Sequence, residues 1–176
     1  KLIAQMAKAA AVNNMVGYCQ SHRGTFWTNL ADSNFDPAQI TVPCEADCSS
    51  GVAAIVKGAG YRLKNEKLKN VSTACYTGNL RAALKAAGFK VLTDKKYLTS
   101  DAYLLEGDIL LNDGAHVATN LTNGAKASGG GASQTVPINS NVKLETAKGF
   151  NKSLAGTYKV TGAGALNLRS GAGTGK

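Results

Sequence analysis

Asp47-Cys48-Ser49-Ser50-Gly51-Val52-Ala53-Ala54-Ile55-Val56-Lys57-Gly58-Ala59-Gly60 decides how this chain is read. The run after the cysteine is apolar and small on nearly every side, the pattern of a helix buried all round. It should end near Lys57-Gly58, with Gly60 close to a left-handed cap. Cys48 stands at the head of that helix. There the dipole and the free backbone N–H groups favour an anion, so a thiol so placed is suited to act as a nucleophile. A base is needed, and the chain has only two histidines. His22 lies in the polar stretch Gln20-Ser21-His22-Arg23 and reads as exposed and uncommitted. His116 heads the apolar His116-Val117-Ala118, joined by the turn Asn112-Asp113-Gly114 to Gly107-Asp108-Ile109-Leu110-Leu111. That arrangement is strand, turn, strand, with the histidine at the second strand's start. Asp108, opening the first strand, is expected to accept backbone N–H groups and fix the turn.

Asp-Cys-Ser-Ser opening a helix, followed by Gly-Asp-Ile-Leu-Leu and His-Val-Ala, resembles the NlpC-type and CHAP group of papain-like cysteine hydrolases. Within it the likeness is to bacteriophage peptidoglycan amidases and endopeptidases, from about Ala10 to Ser128. The resemblance implies an α+β, papain-like fold with N-terminal helices on a central antiparallel sheet. It implies Cys48 as nucleophile and His116 as base, and a groove wall formed by the stretch Tyr18 to Pro43. Tyr18, Arg23, Phe26 and Trp27 are candidate groove residues, and Asp47 and Ser49 flank the nucleophile as further substrate-binding candidates. Ordinary packing for the aromatics and solvent exposure for Arg23 are the alternative. Relatives place a polar or acidic orienting group on the strand after the base. Asn123-Gly124 is a two-residue hairpin signal, and counting back along the returning strand puts Ser128 at that place. Serine is a weak orienter, so Asn120, a water or a backbone carbonyl are alternatives.

The other cysteines are Cys19, Cys44 and Cys75. Cys44 follows Pro43 with no helix behind it, so it is the lesser candidate for nucleophile. Cys19 and Cys75 read as small buried hydrophobes. Cys44 and Cys48 are four apart rather than in a C-x-x-C pair, so neither a metal nor another cofactor is expected.

The remaining signals set the frame. Leu2 to Met15 has the Ala/Leu/Met/Lys content and spacing of a packed helix, with Gly17 at its exit. Tyr18 to Pro43 reads as a long loop, of the kind that is usually functional. Asn79 to Ala87 is a further helix, with Thr77 as N-cap and Gly88 as stop. Lys90 to Thr93 reads as a short strand, and Leu104 to Asp108 as the entry to the sheet. Twenty Lys+Arg against eleven Asp+Glu give a net charge of +9. This suits a polyanionic partner. The basic residues are scattered and no nucleic-acid motif is present, which argues against nucleic acid. A Gram-positive cell wall fits the charge and the cysteine–histidine reading together. The densest basic cluster, Arg62 to Lys69, reads as a solvated face. No apolar run reaches the roughly 20 residues of a membrane span, and no signal peptide is recognised.

Three segments are expected: a hydrolase domain over 1–130, a linker over 131–155 beginning in Gly129-Gly130-Gly131, and a further unit over 156–176. Within the last, Leu166-Asn167-Leu168-Arg169-Ser170-Gly171 resembles the start of a bacterial Src-homology-3-like wall-binding module, which would here be truncated. The function so expected is hydrolysis of a peptidoglycan amide bond, as an N-acetylmuramoyl-L-alanine amidase or as a stem or cross-bridge endopeptidase. The localisation implied is the host cytoplasm before release and the bacterial wall after it. A non-catalytic wall-binding protein on a degenerate hydrolase scaffold is the alternative. Oligomeric state is not encoded in any motif.

Overall fold

The computed structural model describes residues 1–127. The linker and wall-binding unit expected over 131–155 and 156–176 lie outside these residues, as does Ser128. The described chain is a mixed α+β fold whose centre is one helix. That helix, α3 (Cys48–Leu63), buries Val52, Ala53, Ala54, Ile55, Val56 and Ala59. Ala54, Ile55 and Ala59 meet Leu2, Met6 and Ala10 of α1 (Leu2–Val12) and Phe26 and Leu30 of α2 (Thr25–Asp32). Val52, Ala53 and Val56 face the other way, onto Leu68 of α4 (Glu66–Lys69), Leu80 and Leu84 of α5 (Thr77–Ala86), and Val117. Two apolar clusters thus share α3 as their common wall, which is why its sequence shows no polar face.

The same packing explains why α3 outruns the expected stop at Gly58–Gly60. A Cβ on Gly60 would lie 2.6 Å from the backbone nitrogen of Lys69 and 2.8 Å from the Leu68 carbonyl carbon. Gly60 is therefore the point where α4 crosses close to α3. The helix ends at Lys64, which takes the left-handed conformation at φ 53°.

The central antiparallel sheet is not found among the described residues. In its place are two separate two-stranded sheets. β1 (Val16–Tyr18) pairs in parallel with β2 (Cys44–Ala46), with Tyr18 opposite Ala46. β3 (Ile109–Asn112) pairs antiparallel with β4 (His116–Thr119), with Asn112 opposite His116. The stretch Tyr18 to Pro43, expected as a loop, folds into α2 and a 3-10 turn at Pro37–Gln39, which Asp36 caps through Ala38 N–H. α1 stops at Val12, earlier than Met15, because Asn13 turns inward and donates to Pro37 and Ile40 carbonyls at 2.8 and 2.9 Å.

Residues 90–93 form no strand. They are irregular chain that lines one cavity together with β3 and leads into the one-turn helix α6 (Lys95–Leu98). Leu104 to Asp108 leads directly into β3, with Gly107 N–H donating to the Asn120 carbonyl and the Asp108 carbonyl accepting Asn120 N–H, both at 2.8 Å. Asn123-Gly124 does not turn a hairpin: Gly124 N–H bonds to Leu104 and Lys126 N–H to Ala102, so this segment lies against the chain before β3. Thr77 is the first residue of α5, and Tyr76 takes the cap position, its N–H bonded to Asn79 Oδ1 at 2.9 Å. In the basic cluster, Arg62 reaches Asp36 and the Phe35 carbonyl, and Lys69 pairs with Glu66. No described helix is long and apolar enough to cross a membrane.

Candidate active site

Asp47 is the N-cap that starts α3. Its Oδ1 accepts Ser50 N–H at 2.7 Å and the Ser49 hydroxyl at 3.1 Å, while Ser50 Oγ accepts Asp47 N–H at 3.0 Å. This reciprocal capping box fixes the first turn, and so the backbone N–H of Cys48. Asp47, Ser49 and Ser50 are all buried. Arg23 braces them from the loop before α2. Its Nε lies 3.1 Å from Asp47 Oδ2, close enough for an ion pair though not aligned as a hydrogen bond. One terminal nitrogen of Arg23 donates to Ser49 Oγ at 3.1 Å and to the Cys75 carbonyl.

Tyr18 closes the other side. Because β1 and β2 pair in parallel with Tyr18 opposite Ala46, the end of β1 is carried next to the Asp47-Cys48 start of α3. The phenol neighbours both the backbone N–H and the thiol of Cys48. Burial and the charge of a Cys48 thiolate raise its pKa above the ordinary 10.0, partly offset by the Cys48 N–H, which favours the phenolate. At neutral pH Tyr18 is therefore a neutral hydrogen-bond donor beside the sulfur.

His116 opens β4, and α3 packs against β4. Cys48 touches the apolar cluster that contains Val117, the neighbour of His116. The Nε2 atom of His116 is buried without a hydrogen-bond partner. No hydrogen bond joins the Cys48 sulfur to this ring in the described structure. Such contacts are often loose without substrate and tighten in the complex.

Of the other residues singled out, Trp27 is placed elsewhere. It packs with Phe35 and Tyr61 at ring-centroid distances of 5.8 and 6.1 Å, with the Lys57 ammonium 5.4 Å above its ring. Lys57 and Tyr61 lie nine and thirteen residues beyond Cys48, roughly 13 and 20 Å along the helix axis. Phe26 is core. Asn120 Nδ2 donates to the Leu105 and Thr122 carbonyls at 2.7 and 2.6 Å, and Asp108 Oδ2 accepts Leu105 N–H at 2.8 Å, so both are committed to the turn before β3.

Cys44 and Cys75 are buried, and burial raises both thiols above their ordinary pKa, with the Glu45 charge adding to the effect at Cys44. Cys19 is partly exposed rather than buried, and His22 is not uncommitted: its Nδ1 lies 3.6 Å from Cys19 Sγ and 3.1 Å from Glu45 Oε2. Sequence reasoning missed this grouping because Glu45 is distant in the chain and arrives only through the β1–β2 pairing. A cavity of about 310 Å³ lies between α5, α6 and β3, lined by Leu84, Phe89, Tyr97 and Leu98 among others, and it contains neither Cys48 nor His116.

No curated protein and no solved structure was found to match the chain. A family model described as endolysin-like domain matches residues 1–127, which is the whole of the described structure. The chain therefore belongs to the endolysin-like domain family, whose name marks it as a phage-type enzyme that lyses bacterial cell walls.

Proposed function

We propose that this chain is a cysteine peptidoglycan hydrolase of the NlpC/CHAP type that cleaves an amide bond, with Cys48 as nucleophile and His116 as base. One arrangement carries the reading. Cys48 sits in the capped first turn of α3, with a neutral phenol beside its sulfur and its N–H. An imidazole whose Nε2 is buried and unpartnered lies on the strand packed against that helix.

In the reaction, His116 takes the Cys48 proton and the sulfur attacks the amide carbonyl. The oxyanion is met by Cys48 N–H and the Tyr18 hydroxyl. The C–N bond breaks as His116 returns the proton to the leaving amine. Water, activated by the same imidazole, then hydrolyses the thioester and frees the thiol. Asp47, Ser49 and Arg23 act here as positioning residues that hold Cys48 N–H on its target. Ser128 is proposed as the orienting group for His116 on the resemblance alone, since the chain does not form the hairpin at Asn123-Gly124 that would place it. The substrate is the Gram-positive wall, whose anionic polymers the net charge of +9 favours.

The test is digestion of purified Gram-positive peptidoglycan by wild type and Cys48→Ala, with mass spectrometry of the released fragments. Wild type should release fragments and the variant none. Free lactyl-muramic ends would name an amidase, and a cut stem or bridge an endopeptidase. Products that persist in Cys48→Ala would refute the cysteine mechanism. If wild type binds several wall chemotypes without cutting any, the scaffold without catalysis becomes the reading, and the open Cys48–His116 pair is the observation that favours it.

A further inference from the structure

We infer that Cys19, His22 and Glu45 form a binding site for one divalent ion of the zinc class, separate from the Cys48–His116 centre. One ligand atom from each lies within 4.8 Å of the other two. The measured edges have the size that coordination requires. Around a tetrahedral zinc ion with bonds of about 2.3 Å to sulfur and about 2.0–2.1 Å to nitrogen and oxygen, the S–N edge is about 3.6 Å and the N–O edge about 3.3 Å. Here they are 3.6 Å between Cys19 Sγ and His22 Nδ1, and 3.1 Å between His22 Nδ1 and Glu45 Oε2.

The geometry also separates a metal site from a second nucleophilic triad. In a triad, nucleophile and orienting carboxylate occupy opposite nitrogens of the imidazole, so that one can act through the ring on the other. Here sulfur and carboxylate both face Nδ1. Sulfur and carboxylate approach the same nitrogen and lie within 4.8 Å of each other, which suits a shared ion and which proton relay through the ring does not use.

The backbone beneath them is already assembled. Cys19 extends β1 by one residue, its N–H bonded to the Ala46 carbonyl at 3.1 Å. Glu45 is held opposite Gly17 in β2. Thr25 Oγ1 donates to the His22 carbonyl at 3.0 Å and accepts Glu45 N–H at 2.8 Å, tying the histidine's loop to the glutamate's strand. Three chain segments are thus fixed to one another before any ion arrives, which lowers the ordering cost of binding. A thiolate, an imidazole and a carboxylate together select a borderline ion over the hard magnesium or calcium, which prefer all-oxygen shells. Three protein ligands leave a fourth position for water. His22 and Glu45 face solvent, so the ion has a path in. Cys19 directly follows Tyr18, so a bound ion would clip the loop that carries Tyr18 and Arg23 to the Cys48 end of α3.

The experiment is titration of the reduced, metal-stripped full chain with cobalt(II), followed by displacement with zinc(II). Wild type should take one equivalent. Thiolate-to-cobalt charge-transfer absorption and the d–d bands of a four-coordinate ion should appear, and zinc should remove both. Cys19→Ser should abolish the charge-transfer band, and His22→Ala and Glu45→Gln should each weaken binding at least about tenfold. Cys48→Ser should change neither band nor affinity. All four positions are at least partly exposed, and far-UV circular dichroism checks that each variant is folded. The inference is overturned if wild type gives no thiolate-bound cobalt, if the band survives Cys19→Ser, if Cys48→Ser removes it, or if Glu45→Gln binds as wild type does. None of these readouts depends on hydrolytic activity, so this site stands or falls independently of the proposed reaction.

Discussion

Replacing Asp47 by alanine should destabilise the protein by about 3 kcal/mol, a sum of three losses at one buried carboxylate. The N-cap bond to Ser50 N–H is worth about 1 kcal/mol, within a measured span of roughly 0.5–2. The Ser49 hydroxyl, buried with its residue, loses its acceptor, which costs about 1 kcal/mol at the low end of the range for unsatisfied polar groups. Arg23 loses its charge partner. A fully buried pair would make that about 3–5 kcal/mol. The Arg23 side chain is 30% exposed and keeps its bonds to Ser49 and to the Cys75 carbonyl, so about 1 kcal/mol is the fitting figure. Asp47→Asn keeps a cap oxygen and loses only the charge, and should cost about 1 kcal/mol.

Urea unfolding of the three proteins measures this directly, read as a shift of midpoint at unchanged slope. Arg23→Ala combined with Asp47→Ala should be less damaging than the two losses added, since the singles share one ion pair. Wall-clearing rates measured alongside should fall in Asp47→Ala even where it is folded, because Cys48 N–H is no longer held in place. The opposite reading makes Asp47 a substrate contact. It requires a midpoint within about 0.5 kcal/mol of wild type together with weaker substrate saturation. That pair of results would refute the capping argument.

Tyr18→Phe should lower the maximal hydrolysis rate by about 10–100-fold with little change in saturation, somewhat less than loss of a principal oxyanion donor. Its phenol is held above 10.0, so the raised value keeps the donor protonated through neutral and mildly alkaline pH. Wild type should therefore lose no activity through Tyr18 ionisation in that range, and an alkaline limb centred below the ordinary tyrosine range that disappears in Tyr18→Phe would refute the assignment. The linked stability has the same sign: it is complete below the unfolded-state pKa and lost as pH rises through the folded one. Thiol labelling of the native protein near pH 7.5 should modify Cys19 and Cys48 first and leave Cys44 and Cys75 protected, since both are buried and their thiols are raised. Equal rates at all four would contradict the packing. Gly60→Ala tests the α3–α4 crossing. Helix propensity alone would stabilise by about 1 kcal/mol, whereas the contact of its Cβ with the Leu68–Lys69 backbone should reverse the sign and destabilise by about 1–3 kcal/mol.

The parts of the fold legible in the sequence are those with a long local signal. The sixteen residues of α3 and the ten of α5 carry enough pattern to be found, and Gly88 marks the stop of α5. The N-caps are less legible, since Asp47 reads as a substrate contact but caps α3, and Tyr76 rather than Thr77 caps α5. Gly58 and Gly60 look like stops in one dimension, so the sequence pattern ends α3 too early. In three dimensions they are clearances, for Met6 and Leu30 at Gly58 and for α4 at Gly60. β1 and β2 have three residues each, too few for an alternation to be seen, and their parallel pairing spans the whole of α2. The stretch Tyr18 to Pro43 looks like loop in the sequence for a related reason. α2 is only eight residues long, and its burial of Phe26 and Leu30 comes from meeting α1 and α3 rather than from intrinsic helicity.

That short parallel pair is what turns a list of candidate residues into a site. Tyr18 and Cys48 are thirty residues apart, and nothing local to either one predicts that they meet. The register that sets Tyr18 opposite Ala46 does it, since Ala46 is followed by the capping aspartate and then by the cysteine. The same register sets Glu45 opposite Gly17, on the approach to Cys19 and His22. Two chemically different clusters thus hang from one three-residue ladder, which side-chain alternation deals to opposite faces. A shift of that ladder by one residue would exchange the faces and dismantle both clusters at once. The buried side chains on either side, Val16 and Cys44 in the α1 cluster, are what prevent it.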